Sequence, residues 1–238
     1  MMRKLIITAA IVLSSGILIP VYAQQTQSSS TAQTQQKPQF EEWSDDFNQD
    51  KLDEEKWEKY TFEGGSGGRL EVKDGEVRIR SMSKTRAGIR SKKEFSGDRW
   101  IAEAQVAKVG AQQPEPGSSG QPLGFAALTI LFDGSGRNRI EWILTSEGTF
   151  EAWSAVDGRT ERLDNRKLGT KMKNPVLSIV RRGDEFLFVL NSPDGKPEDA
   201  QIGLKTNVKN MPKSFRVMLY GFGSSENNWN NARVVVAK

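Results

Sequence analysis

Apolar and polar residues alternate along most of the chain in short runs broken by Gly, Asp, Asn and Ser. A period of two marks a strand with one buried face. "EVRIRS" (76–81) sets Val77 and Ile79 against Arg78 and Arg80. "RWIAEAQVAKV" (99–109) puts Trp100, Ala102, Ala104 and Val106 on one side, with Glu103 and Gln105 on the other. "GFAALTILFD" (124–133) is apolar on both sides, which suits a central strand. "NRIEWILT" (138–145) and "TFEAWS" (149–154) flank the turn "SEG". "PVLSIVRR" (175–182) and "EFLFVLN" (185–191) flank Gly183–Asp184, a two-residue hairpin signal. "SFRVMLYGF" (214–222) and "NARVVVAK" (231–238) close the chain. Only "DKLDEEKW" (50–57) suits a helical turn. The pattern predicts about a dozen short strands and no long helix, hence an all-β sandwich or barrel.

The N-terminal 38 residues do not share this pattern. Arg3 and Lys4 precede an uncharged, mostly apolar run from Leu5 to Ile19, and Val21 and Ala23 follow with signal-peptidase spacing. This predicts a secretory signal peptide over 1–23, because the run is shorter than the ~20 apolar residues of a spanning helix. Residues 24–38 are Gln, Ser and Thr with little to bury, and are expected to be a disordered linker. Residues 39–238 suffice for one β domain with a substantial core. The expected location is secreted or periplasmic, with no integral membrane segment once the signal is cut.

The chain has 34 basic and 30 acidic residues. Loss of Arg3 and Lys4 with the signal leaves 32 against 30, so polyanion binding gets little support from net charge. There is no cysteine and no histidine. That excludes disulfides, thiol nucleophiles, zinc–thiolate clusters, Ser–His–Asp chemistry and imidazole metal sites. Catalysis, if present, would rest on carboxylates, Lys, Arg, Tyr or a cofactor.

Charge is segregated locally. Arg78, Arg80, Lys84, Arg86, Arg90, Lys92 and Lys93 form a basic strip, and the stretch from Glu41 to Glu58 is acidic. The two are expected to compensate each other as edges; the sharper alternative is a cationic strip for an anionic polysaccharide. Nucleic acid is not expected as a partner, because no aromatic residue is interleaved with these cations. Arg182–Gly183–Asp184 spells an integrin tripeptide, but the hairpin turn accounts for it. "GGSGG" (64–68) lacks the strand-then-helix context of a phosphate loop and is expected to be a flexible loop.

In "DDFNQDKLDEEKW" (45–57), Asp46, Asn48 and Asp50 alternate like the first ligands of an EF-hand. Counted from Asp46, however, Lys51 stands at the obligatory glycine and Trp57 at the bidentate carboxylate, so the EF-hand fails. The stretch from Trp43 to Trp57, W-x-D-D-F-x(4)-L-D-x(3)-W, resembles the N-terminal edge of concanavalin A-like lectin/glucanase domains. "LEVKDGEVRIRS", "AGIRSKKEFSGDRWIAEAQV", "LSIVRRGDEFLFVLN" and "RVMLYGFGSSENNWNNARVVVAK" are similar to further phrases of that superfamily. The resemblance implies an antiparallel two-sheet jelly-roll sandwich over 39–238. It implies carbohydrate binding on the concave face, without catalysis. The alternatives are a hydrolase, glucanase-like or related to 3-keto-disaccharide hydrolases, and a structural or interaction module of the cell envelope. The laminarinase-type hydrolases carry E-x-D-x-x-E on one strand, and "RIEWILTSEGTFEAW" lacks that spacing. No cofactor is expected; some relatives hold a structural calcium between the chain ends. Asp46 is the candidate ligand for one, though Asn231 stands where many relatives have Asp.

The hairpin 138–154 carries the candidate site. With Glu147 at the turn centre, Glu141 faces Trp153 and Ile143 faces Glu151. Arg139, Glu141, Glu151 and Trp153 then share the face away from the core. An indole beside carboxylates and a guanidinium suits a sugar platform, in which the ring stacks on pyranose C–H groups and the charged groups bind hydroxyls. Glu141 and Glu151 would be diagonal neighbours about 7 Å apart at the backbone. That lies within the range of glycosidase carboxylate pairs, so the two are also the catalytic candidates.

Overall fold

A computed structural model describes residues 39–62, 68–81, 86–110, 124–167, 173–191, 201–222 and 226–238. The expected signal peptide (1–23), the expected linker (24–38), Lys84 and residues 64–67 of the glycine-rich segment lie outside the described residues. The described residues form sixteen strands in two antiparallel sheets. The first sheet runs β14 (Gln201–Asn207), β13 (Glu185–Asn191), β12 (Val176–Arg182), β7 (Arg99–Val109), β16 (Glu226–Ala237), β4 (Glu76–Arg80), β3 (Arg69–Lys73). In it, β1 (Phe40–Asp45) pairs with the second half of β16. The second sheet runs β11 (Arg159–Lys167), β10 (Thr149–Val156), β9 (Arg139–Thr145), β8 (Phe125–Leu131), β15 (Ser214–Phe222), β5 (Arg86–Ser91), β2 (Trp57–Thr61), and β6 (Phe95–Ser96) pairs with β15. The strand order jumps between distant parts of the chain, as in a jelly roll. No helix among the described residues is long and apolar enough to cross a membrane.

Alternation decides which side chains meet between the sheets. Val77, Ile79, Trp100, Ala102, Ala104 and Val106 are all buried, as their period predicts. The second sheet sends Ile130, Ile140, Trp142, Phe150 and Leu219 into the same core. The Trp142 indole N–H also donates to the Val189 carbonyl at 3.1 Å, which ties β9 to β13 across the sandwich. The Gly183 turn has φ 66° at its first central residue, and Asp157–Gly158 has φ of 52° and 84°, the two-residue hairpin geometries that favour Gly and Asp.

The stretch 45–57 turns out to be an anchor. The Asp45 carboxylate accepts from the Phe47 amide at 2.9 Å and from the Trp57 indole at 2.8 Å. Trp57 in turn packs against Trp43 and Phe47. The expected helical turn is a single one, closed by the Trp57 amide on the Asp53 carbonyl at 2.9 Å.

Candidate functional site

The candidate hairpin has the expected register. Trp153 pairs with Glu141 and Glu151 with Ile143. The turn at Thr145–Gly148 closes with a 3.0 Å hydrogen bond and φ 78° at Gly148. Because Ile140, Trp142 and Leu144 point into the core, Arg139, Glu141 and Ile143 must point out of the second sheet. Pairing carries that outer face across the sheet. Glu141 sits opposite Thr129, and Thr129 opposite Met218; Ile143 sits opposite Ala127, and Ala127 opposite Tyr220.

An outer sheet face is ordinarily solvated and polar, but here it carries a second apolar cluster. Phe62, Ala127, Leu131, Ile143, Met218 and Tyr220 are buried together, bordered by Tyr60, Phe125 and Trp153. Phe62, just past the end of β2, turns over the face and is only 6% exposed. Its ring stands edge-on to Tyr220 at 5.4 Å and to Tyr60 at 5.6 Å.

Arg139 and Glu141 are sealed at the edge of that cluster. Glu141 is 2% exposed and accepts from the Tyr220 hydroxyl at 2.6 Å. Arg139 Nε lies 3.0 Å from the second Glu141 oxygen, at an angle that makes the contact an ion pair rather than a hydrogen bond. The Arg139 Nη1 donates to the Gly136 carbonyl at 2.8 Å, and its guanidinium lies 5.4 Å from the Phe62 ring centre. Burial, then the Glu141 charge, holds the Tyr220 phenol well above the ordinary tyrosine range. The expected open platform of four residues is therefore corrected: Arg139 and Glu141 are buried, because Phe62 and Tyr220 cover a face that alternation alone marks as solvated.

Glu151 and Trp153 do reach solvent. The Trp153 indole N–H donates to Glu151 Oε2 at 2.9 Å, which fixes the half-buried ring. Strand β11 adds Arg162, whose guanidinium is 5.9 Å from the Trp153 ring centre, and Asn165, whose amide reaches Glu151 Oε1 at 3.4 Å. Neither β11 residue is visible to a hydrophobic-period search, because β11 is a polar edge strand. Tyr220 and Phe222 had a signal: Met218, Tyr220 and Phe222 alternate with Val217 and Leu219, so β15 is apolar on both faces.

The other candidates separate. Asp46 is exposed, and its carboxylate accepts from the Asn48 backbone amide at 3.3 Å and from the Asn48 side-chain amide. Asn231 donates to Gln105 at 3.2 Å instead of facing the start of the chain. Among the described residues no three carboxylates gather as a metal cluster. The basic strip divides between β4 in one sheet and β5 in the other. Arg90 pairs with Glu58 at 2.7 Å and Lys93 with Glu41 at 2.6 Å, so acidic and basic segments do compensate. Arg182–Gly183–Asp184 forms the β12–β13 turn.

No family model matches the chain, and no curated protein matches it. Solved structures do match its fold. SCLam, a non-specific endo-β-1,3(4)-glucanase of family GH16, aligns with a TM-score of 0.61 over 84% of this chain and 92% of its own, at 11% identity. A Bacillus licheniformis β-glucanase aligns with a TM-score of 0.57 over 81% and 97%, also at 11% identity. The carbohydrate-binding module CBM66 from Bacillus subtilis aligns with a TM-score of 0.52 over 74% and 94%, at 13% identity. The chain is thus a two-sheet antiparallel jelly-roll sandwich. Within that class it has the concanavalin A-like fold.

Proposed function

We propose that the protein is an exported, non-catalytic glycan-binding module, and that sugar docks on the outer face of the second sheet, at the Trp153 flank. The fixed indole carries this reading. Its N–H is held by Glu151, Arg162 flanks it, and Asn165 supplies an amide, which together make a stacking surface with donors and acceptors at its rim. Rigid aromatic area binds at low entropic cost, because little side-chain freedom remains to be lost. The similar solved structures include both a carbohydrate-binding module and glucanases, which favours carbohydrate as the partner. In the free protein Glu141 is buried and its two oxygens are engaged, one by the Tyr220 hydroxyl and one by Arg139, which favours binding over acid–base work. A groove of about 860 Å³ between the free edges of β2 and β3 mixes four lysines with four carboxylates and offers no exposed ring.

A glycan array followed by calorimetry on the best binder tests this. Trp153→Ala, with the circular dichroism spectrum preserved, is expected to lose retention. Retention equal to the parent rejects the platform.

A further inference from the structure

The buried polar group that Phe62 borders sits on an unusual face for such residues. Glu141, Arg139, Tyr220 and Thr129 project from the side of the sheet that faces away from the core, where water would solvate them without cost. They are instead buried, and the Thr129 hydroxyl, fully buried directly opposite Glu141, has no hydrogen-bond partner among the described residues. Buried polar groups are nearly always satisfied, so an orphaned hydroxyl beside a carboxylate points to a partner that enters from outside.

The socket around Phe62 is shaped for a six-membered ring. Tyr220 and Tyr60 present ring edges or faces to it, and Arg139 lays its guanidinium on it. Gly136, at φ 74°, closes the remaining side; a Cβ there would overlap the Phe62 ring. A pyranose has the same ring size, an apolar C–H face and hydroxyls at its rim. Glu141 can accept from those hydroxyls, while Tyr220, Arg139 and Thr129 can donate to them or share them.

We propose that Phe62 fills, in the free protein, a subsite for one pyranose ring of the bound glycan, and that ring and ligand compete for it. This rests on the glycan-binding reading above and adds to it a regulated second contact. The Trp153 flank stays open for the first encounter, and the Phe62 socket opens only when a sugar displaces the phenyl ring. Affinity in the parent is lowered by the fraction of molecules whose socket is free.

Calorimetry with a β-1,3-1,4-linked gluco-hexasaccharide tests the proposal on the parent and on Phe62→Ala, Phe62→Leu, Trp153→Ala and the doubles Phe62→Leu/Trp153→Ala and Phe62→Leu/Tyr220→Phe. Phe62→Leu keeps an apolar side chain and serves if Phe62→Ala does not fold. The expected result is binding at least about tenfold tighter in the folded Phe62 variants, as removal of a self-occupied state requires. Tyr220→Phe should cancel that gain. A folded Phe62→Leu protein that binds no tighter than the parent overturns the proposal, because a purely structural phenyl ring changes melting temperature alone. If Trp153→Ala abolishes parent binding while Phe62→Leu adds nothing, the subsite fails and the platform stands. If Phe62→Leu adds affinity that Trp153→Ala does not remove, the subsite stands and the platform fails. If neither parent nor variant binds the hexasaccharide, the subsite is rejected.

Discussion

Tyr220 Oη and Glu141 Oε1 lie 2.6 Å apart on strands β15 and β9, bridged only by β8 and both closed to solvent. A buried carboxylate needs every donor it has, because an unpaired one loses the solvation it gave up. Tyr220→Phe removes one donor and is expected to cost about 2 kcal/mol in urea unfolding. The same pair sets an alkaline limit. The folded Tyr220 holds its proton above the ordinary value of 10.0. As pH rises past that value the unfolded chain ionises first, so stability is complete below it and falls as pH climbs towards the folded value. Tyr220→Phe should flatten that alkaline slope in melting scans; an unchanged slope assigns it to other groups.

At the opposite end of the pH scale stands Asp133. Burial acts to raise its carboxyl, but the Ser135 hydroxyl, the Asn138 backbone and side-chain amides and the Gly136 backbone outweigh it, and the net direction is downward. The carboxylate gathers the loop 133–138, accepting from Asn138 N at 2.7 Å and Ser135 N at 2.9 Å. A depressed folded value means stability present above the unfolded carboxyl's titration and lost as pH falls through the folded one. Asp133→Asn is expected to lose about 1–2 kcal/mol at neutral pH, the group being partly exposed, and to show a shallower acid slope. Equal acid slopes in the two proteins would remove Asp133 as the cause.

Much of this fold was legible in the sequence. Strands β4, β7, β12 and β13 and the Glu141–Trp153 register follow from alternation and from Gly-containing turns. Strand β11 was not, since "RTERLDNRK" has no apolar period; as an edge strand with both faces largely exposed it needs none. The turn residues Asp157–Gly158 were the only local sign of it. The site was half legible, and for one reason. Period two tells which residues share a face, but Phe62 covers that face from a different strand end, and no local pattern records a long-range cover.

Arg181 shows the same limit and gives a third expectation. Arg181 is 3% exposed, yet its guanidinium meets no carboxylate within ion-pair distance among the described residues. It donates instead to the carbonyls of Gly183 and Met211, both at 2.8 Å, and of Pro212, between the rings of Phe132 and Phe186. Burial lowers its proton affinity, opposed by Asp184 and Asp98. One planar fork joins the β12–β13 turn to residues 211–212, which a lysine ammonium cannot copy. Arg181→Lys is expected to cost about 2 kcal/mol and Arg181→Ala about 3 kcal/mol in denaturant unfolding. A loss under about 0.5 kcal/mol for both would mean the carbonyls find water instead.

Binding and hydrolysis make opposite demands on Glu151. In a binder its task is to hold the Trp153 indole, through the 2.9 Å bond from the ring N–H. A glutamine side-chain oxygen accepts the same bond, more weakly for want of charge. Glu151→Ala should therefore weaken glycan retention about fivefold, the worth of one exposed-edge hydrogen bond, and Glu151→Gln should weaken it less. A hydrolase would behave otherwise: Glu151→Gln would keep the sugar and abolish release of reducing ends, since an amide neither donates nor takes the proton. Retention and reducing-sugar assays on the same three proteins separate the two. Measurable hydrolysis in the parent that vanishes in Glu151→Gln, with retention intact, would turn the Trp153 flank from a platform into an active site.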